Sequence, residues 1–390
     1  MSEKRMTITK KMQLLVDGDK DEVKRVYDFI RNGQYAQYRA MNRYMGEIAS
    51  IYYKHNMDFK SDGFQTEYKE IRTNKNEIFQ DLEFSTGVDT ISQARRTVES
   101  DFMASVKNGL AKGERTITNY KREYPLLTYG RSLKFYHDYA DDYEMYDNLD
   151  NKDFLIYLGW VNKIRFKVRF GNPYKSHELR TSVARICDGT YKIQGSKITI
   201  IGKKIFLFAS VSIPILEKEM LEDNVCGVKF GKCVTATCVT NIDKKKYVEC
   251  GNADVFLMQR AKMKAMRERT MAQLKYSKGG HGRKKKLKPL ERFRKREHNF
   301  AKTYNHTISK EIVNFAFDNR CSKIVLEDLS IYENDDEFVT KNWSYFDLEE
   351  IIKYKAKRYG ITVETKKLDI EKVKDENWSN VDLAFELTLD

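Results

Sequence analysis

Hydrophobic and polar positions divide the chain into stretches of different period. From Thr7 to Val16, Ile8, Met12, Leu14 and Leu15 are interspersed with polar residues, which predicts a strand, and Asp17-Gly18-Asp19 turns the chain into a helical region. From Asp21 to about Lys112 the apolar positions recur at helical spacing, as in Val23, Val26, Tyr27 and Ile30 and again in Met41, Tyr44, Met45 and Ile48. This predicts a helical domain. One of its helices carries Val98, Phe102 and Val106 inward and Gln93, Arg95, Arg96 and Lys107 along other faces; that polar stripe reads equally as a binding face or a solvated one. Near Arg115 the period drops to two. The runs Phe154 to Leu158, Ile164 to Phe170, Tyr191 to Ile193, Lys197 to Ile200 and Ile205 to Ala209, bounded by Gly159, Gly195 and Gly202, predict an antiparallel sheet or small barrel. Arg165, Lys167 and Arg169 share one face of the second run, either a surface that grips a polynucleotide backbone or a merely wet one. From Cys226 a further unit is predicted: strands at Cys226 to Phe230, Val234 to Asn241 and Tyr247 to Cys250, a long basic helical pair, a strand at Lys323 to Glu327, a helix at Phe346 to Tyr359, a strand at Ile361 to Thr365 and a helix from Val381. This is the element order of an RNase H-like α/β domain, which order alone does not establish.

Composition narrows the function. In 390 residues, 71 Lys+Arg stand against 57 Asp+Glu, a net charge of +14, and 12% of the residues are aromatic, which together point to a polyanionic partner, nucleic acid first. No stretch approaches the roughly 18 apolar residues of a spanning helix, and Met1-Ser2-Glu3-Lys4-Arg5 lacks the apolar core of a signal peptide, so a cytoplasmic location without membrane attachment is expected. Cys187, Cys226, Cys233, Cys238, Cys250 and Cys321 form no C-x-x-C pair and read as small hydrophobes rather than zinc ligands or disulfides.

The charge is concentrated. Between Arg260 and Phe300, sixteen Lys+Arg face three Glu, a balance of 16 − 3 = +13. A solvated helix face would carry compensating carboxylates four residues away, and this one does not, which favours phosphate contact over a solubility patch. Gly279-Gly280-His281-Gly282 breaks the segment into two predicted helices around a cationic elbow. Cleavage by an RNase H-type fold needs divalent ions held by acids from the first strand, the fourth strand and a later helix. Two candidates are visible: Glu327, ending the apolar run Lys323 to Leu326, and Asp382, at the start of the last helix. Either reads alternatively as a helix cap or a surface acid.

Several motifs together resemble the RuvC domain of TnpB transposon nucleases and compact type V-F CRISPR effectors: Gly280-His281-Gly282-Arg283, Lys288-Pro289-Leu290, Thr303-Tyr304-Asn305-His306 followed by Ser309, Ile324 to Leu329, and Asn342-Trp343-Ser344-Tyr345-Phe346-Asp347-Leu348 leading to Tyr354-Lys355-Ala356. Upstream, Ser92-Gln93 through Phe102 and Thr118-Asn119-Tyr120-Lys121-Arg122 are similar to the family's recognition lobe and its junction with a wedge domain, although the family has proline before this tyrosine. The resemblance implies a multidomain α+β protein: a β-barrel-like wedge domain split over residues 1–16 and 115–220, a helical recognition lobe at 17–114, and an RNase H-like (RuvC) α/β domain at 221–390 with a basic helical insertion at 258–300. It also implies nucleic-acid contacts at Gln93, Arg95, Arg96, Tyr120, Lys121 and Arg122 in the recognition part. In the RuvC part it implies them at Arg283, Lys284, Lys285, Lys286, Lys288, Arg292, Arg294, Lys295, Arg296, Asn305, His306 and Trp343.

Two departures from the family decide the functional expectation. Where the family's first strand carries an aspartate in a G-[IV]-D-[LF]-G pattern, this chain has Gly227-Val228-Lys229-Phe230-Gly231. An ammonium group in place of a carboxylate reverses the sign of the nearest interaction with a metal ion; Lys229 is free instead to pair with Glu327 or Asp382. Glu222 and Asp223 precede the strand centre and offer no substitute. At 369–381, where active relatives place a four-cysteine zinc module, the run Ile370 to Trp378 has no cysteine, so the module is degenerate and no zinc is expected. The chain is therefore expected to be catalytically inactive, with no working magnesium site, and to require a guide RNA. Its expected partners are that RNA and double-stranded target DNA with a short flanking motif. The expected output is transcriptional regulation, most simply repression by promoter occlusion, as in the nuclease-dead TldR branch of TnpB-like proteins. The alternatives are an activator that recruits a sigma factor and RNA polymerase, an endonuclease with a rearranged metal site, and a guide-RNA carrier that never engages duplex DNA. The last sixty residues, with fifteen Asp+Glu and nine Lys+Arg, read as a solvated surface or a protein-docking face.

Overall fold

The structure, a computed structural model, describes residues 4–73, 77–80, 88–215, 220–231, 233–276, 283–332 and 345–389. The chain divides into two compact units, Met1–Pro214 and Ile215–Asp390.

In the first unit, β1 (Arg5–Val16) leads into α1 (Lys20–Lys54), whose start is fixed by Asp19: its carboxylate accepts from the Glu22 backbone N–H at 2.8 Å, an ordinary N-cap. The stripe Val26, Ile30, Met41, Tyr44 and Ile48 is buried, as the helical spacing predicts. Next come α2 (Asp62–Thr73) and α3 (Val88–Lys107), the latter burying Val98 and Phe102. The rest of the unit is built on strands β2 (Leu126–Thr128), β3 (Lys134–Tyr136), β4 (Tyr157–Gly159), β5 (Arg165–Arg169), β6 (Lys192–Ile193), β7 (Ser196–Ile201) and β8 (Lys204–Pro214), with α4 (Asp142–Asp147) and α5 (Pro173–Cys187) between them. The sheet runs β2-β7-β8-β1-β5-β4-β3, with β6 also on β8. β1 is central because β8 pairs along nearly all of it, from Arg5↔Pro214 to Leu14↔Ile205, and β5 takes its other side.

Two expectations change here. The run from Phe154 contributes only Tyr157 and Leu158 to a strand, and α5 lies where the sequence shows no helical period. The reason is that α5 buries polar groups: Ser176, Ser182 and above all Arg180, whose Nη1 donates to the Leu149 and Asn151 carbonyls at 2.6 and 2.5 Å while its guanidinium lies 5.4 and 5.5 Å from the Phe154 and Phe170 rings. The cationic face of β5 is also partly neutralised, since Asp17 pairs with Lys167 at 2.8 Å and Arg165 at 3.6 Å.

The second unit holds a five-stranded sheet in the order β11-β10-β9-β12-β13, from β9 (Leu221–Phe230), β10 (Ala236–Thr240), β11 (Tyr247–Cys250), β12 (Cys321–Glu327) and β13 (Thr362–Lys366). β9, β12 and β13 are parallel, and β10 and β11 extend the sheet antiparallel. Between β11 and β12 stand α6 (Ala253–Tyr276) and α7 (Arg283–Asp318); α8 (Tyr345–Ala356) precedes β13, and α9 (Ile370–Lys374) and α10 (Asn380–Glu386) follow it. The core joins Val228, Phe230, Ile324 and Leu326 of the sheet to Ile308, Ile312 and Val313 of α7 and Leu348 and Ile352 of α8. Cys226, Cys238, Cys250 and Cys321 are buried in this unit, Cys187 is half-buried in the first unit and Cys233 is exposed.

Candidate functional site

The site is built where the parallel strands β9 and β12 end. Leu326 stands opposite Val228, so the next pair in register is Glu327 and Lys229, 98 residues apart in sequence. Both are buried, Lys229 5% and Glu327 2% exposed. The Lys229 ammonium contacts both carboxylate oxygens of Glu327, at 2.7 and 2.9 Å, and donates to the Phe230 carbonyl at 2.8 Å; the Phe230 backbone N–H donates to Glu327 at 3.0 Å. Charge and hydrogen bonding are thus satisfied together, the condition under which two buried charges are tolerated.

Asp382 does not join this pair through its carboxylate. It is the third residue of α10 and closes a capping box: it accepts from the Ser379 N–H at 2.9 Å and Oγ at 2.5 Å, while its own N–H donates to Ser379 Oγ at 3.2 Å. Lys244, from the turn between β10 and β11, pairs with it as well. The Lys244 ammonium and the Ser379 hydrogen bonds hold the Asp382 carboxyl down at about 2. Because the folded value lies below the ordinary carboxylate value, this latch contributes stability above about pH 4 and loses it as the pH falls toward 2. NMR titration of the Asp382 carboxyl is expected to show a midpoint near 2 in the native chain and a higher one in Lys244→Ala. Gly227 lets α10 lie on β9: a Cβ there would stand 1.9 Å from the Ala384 carbonyl oxygen.

These residues do not fit a pair of magnesium ions. A cation beside Glu327 would have to displace the ammonium that contacts both its oxygens, and at 4 Å two like unit charges repel by about 4 kcal/mol even at an effective dielectric of about 20. The carboxylate of Asp382 is engaged by Ser379 and Lys244. Among the described residues no group of His, Cys, Asp or Glu is arranged to hold a metal ion. In segment 369–381, Lys372 pairs with Glu386 at 2.6 Å and lies 4.8 Å from the Trp378 ring, while Val373 and Trp378 pack on Val325, Leu368, Leu383 and Leu387.

The expected nucleic-acid contacts sort into three groups. Lys288, Arg292, Arg294, Lys295 and Arg296 are exposed on α7, and 288, 292 and 296 recur every four residues on one face. Arg96, Lys121 and Arg122 are exposed too, Arg122 with its guanidinium 4.8 Å from the Tyr35 ring, and Gln93 is half-buried against Gly195. Three others are buried or largely covered. Tyr120 is 3% exposed, its hydroxyl donates to Asp101 at 2.7 Å and its backbone is bracketed by the Asn42 amide at 2.9 and 3.0 Å. Asn305 is 2% exposed inside the second unit. Arg95 is largely covered and pairs with Glu99 at 3.5 Å. His306 stays at the surface, but partial burial of its ring, with the Lys355 and Lys302 charges, lowers its pKa and opposes a cationic imidazolium there. The side chains of Arg283, Lys284, Lys285 and Lys286, and the whole of Trp343 and of the 279–282 elbow, lie outside the described residues. Sequence reasoning missed Lys244; its place in the run Asp243 to Lys246 marks a turn but carries no sign of its partner. It also missed the pairing of Arg260 and Arg267 with Glu297, each at 3.4 Å, which ties α6 to α7.

No family model matches the chain. A CRISPR-associated endodeoxyribonuclease Cas12f1 from Sulfoacidibacillus thermotolerans is 27% identical over 283 residues, 70% of this chain and 64% of that protein. A second, from Syntrophomonas palmitatica, is 33% identical over 165 residues, 41% of this chain and 33% of that protein. The Cas12f1 chain in a cryo-EM structure of a Cas12f1-sgRNA-target DNA complex superposes with a TM-score of 0.68 at 15% identity, covering 99% of both chains. The chain is related to the compact type V-F CRISPR effectors. The chain thus spans just under two thirds of the first curated protein and a third of the second. The solved structure matches it in fold, a mixed α+β architecture with two sheets.

Proposed function

We propose that the chain is an RNA-guided DNA-binding protein that holds its target without cutting it, a nuclease-dead, TldR-type regulator that represses transcription by occupying promoter DNA. The observation that carries the reading is the buried Lys229/Glu327 ion pair, which fills with a protein cation the position where a nuclease of this fold needs a divalent one. On this reading the first unit supplies the wedge and recognition parts and the second the RuvC-like part, and the zinc module's place is taken by the Lys372, Trp378 and Glu386 contacts. The exposed cations of α7 contact the phosphate backbone, and base pairing with the guide supplies the address.

The test is to sequence the RNA that copurifies with the protein and incubate that ribonucleoprotein with guide-matched duplex and magnesium. A shifted, intact duplex is expected, together with repression of a reporter whose promoter carries the target. Cleavage that disappears in Asp382→Ala, a change at a partly exposed position, would refute the reading. An unshifted duplex despite tight guide binding would make the chain an RNA carrier instead.

A further inference from the structure

The outward face of the first unit's sheet carries a pattern that strand register assembles. On β1, Met6, Ile8, Met12 and Leu14 are buried on the inner face, so Lys11 and Gln13 stand on the outer one. Lys11 lies opposite Phe208 and Gln13 opposite Phe206 on β8, while Gln13 also lies opposite Arg169 on β5. Two residues along β5, Lys167 lies opposite Tyr157 on β4, and Tyr157 lies opposite Tyr136 on β3. Directly opposed side chains share a face, so rings and cations from five neighbouring strands stand on one surface.

They form two groups. Lys11 Nζ lies 4.5 Å from the Phe206 ring centroid and 5.5 Å from that of Phe208. Tyr136 and Tyr157 stack with centroids 5.4 Å apart and planes 14° from parallel, and the Arg165 guanidinium lies 5.8 and 5.5 Å from them. Phe206 and Tyr157 are three strand spacings apart, about 14 Å. The acids at this face are Asp17, which pairs with Lys167 and Arg165, and Asp138, which hydrogen-bonds Tyr157. Among the described residues no ion pair joins Lys11 or Arg169 to a carboxylate, so the face keeps positive charge between its two aromatic groups.

We infer that this face is a stacking platform for an unpaired stretch of polynucleotide, with bases on Phe206/Phe208 and on Tyr136/Tyr157 and phosphates on Lys11 and Arg169. The inference rests on the nucleic-acid function proposed above and adds to it a binding surface and the form of strand it takes. Half-buried rings on an open sheet reach bases only when those bases are unstacked, and a sheet presenting aromatics in this way holds two or three of them. A duplex closes its base faces by its own stacking and would meet only the cations.

The test titrates the full-length protein, freed of copurified RNA at high salt, with labelled oligouridylate, oligothymidylate and a duplex of equal length. Single strands are expected to bind better than the duplex. Tighter binding of oligouridylate would assign the surface to the guide, and of oligothymidylate to displaced DNA. Phe206→Leu with Phe208→Leu keeps the apolar burial and removes the stacking. It is expected to weaken single-strand binding at least about tenfold while leaving the slope of log affinity against log salt unchanged. Lys11→Gln with Arg169→Gln is expected to make that slope shallower by about 0.7 for each lost phosphate contact. Thermal melting checks the leucine variant's fold, and Tyr157→Leu repeats the test in the second group should it not fold. Wild-type single-strand affinity in a folded leucine variant, or duplex binding that the leucines weaken equally, would overturn the platform and leave the proposed function standing. A wild-type chain that retains no RNA and binds no guide would instead defeat the proposed function, and the oligonucleotide titration would still decide the platform.

Discussion

Glu327→Ala is expected to lower the melting temperature of the second unit by about 6–20 °C. The change removes the carboxylate that the buried Lys229 ammonium, 5% exposed, contacts through both oxygens, and with it an acceptor of the Phe230 N–H. Breaking a buried pair from one side costs about 3–5 kcal/mol, and a unit of this size loses about 2–4 °C for each kcal/mol. Lys229→Met is expected to cost a similar amount by removing the positive charge that faces the buried carboxylate. The informative variant is the double change Lys229→Met with Glu327→Gln. It removes both charges, keeps an oxygen for the Phe230 N–H and is expected to melt within about 1 kcal/mol of the native chain, because the desolvation cost of two ions disappears with their attraction. Thermal or urea melts of the native chain, Lys229→Met, Glu327→Gln and the double variant form a double-mutant cycle. Additive losses would show that the two side chains do not act as a pair, and would remove the physical ground for a disarmed site.

Replacing Lys288, Arg292 and Arg296 together by glutamine is the second large expectation. The three are exposed at four-residue spacing on α7, and none of the described ion pairs neutralises them. If each contacts a phosphate, the slope of log affinity against log salt should become shallower by about 0.7–0.9 per residue, and retention of the copurifying RNA or binding of target duplex should fall most at low salt. Arg260 and Arg267 serve as an internal contrast. Both face Glu297 at 3.4 Å, so their removal should loosen α6 from α7 and lower stability more than it changes the salt slope. An unchanged slope in the triple variant would mean that the concentrated charge does not face nucleic acid.

The two results address separate properties. The ion pair concerns what the strand ends can coordinate; the helix concerns what the surface can hold. A buried ion pair is weak as a source of stability, since its Coulombic gain is spent largely on desolvation. Its consequence at Lys229 is chemical: it places a fixed positive charge where β9 and β12 end, and no divalent ion can share that position without breaking it.

Much of the architecture was legible in the chain. Period-two runs located β5, β7 and β8, because a half-buried strand must alternate its residues between core and solvent, while the second unit's β12, buried along most of its length, showed as an apolar run. α5 was not legible, because its inner face is lined by Arg180, Ser176 and Ser182, whose burial depends on acceptors at Leu149, Asn151 and within the helix itself. The same limit governed the site residues. The motif around Tyr120 carries no sign of the groups that hold it, Asn42, 78 positions away, and Asp101.

The sequence by itself determined that the chain is strongly basic in one segment, that a lysine stands between Gly227 and Gly231, and that the 369–381 segment contains no cysteine, since these are statements of residue type and spacing. Which carboxylate meets that lysine was open between Glu327 and Asp382. Only the tertiary structure decided it: the parallel register of β9 on β12 brings Glu327 level with Lys229, and the cap at Ser379 with the charge of Lys244 engages Asp382. Register and capping join residues far apart in the chain through backbone geometry, and no local pattern of side chains encodes that geometry.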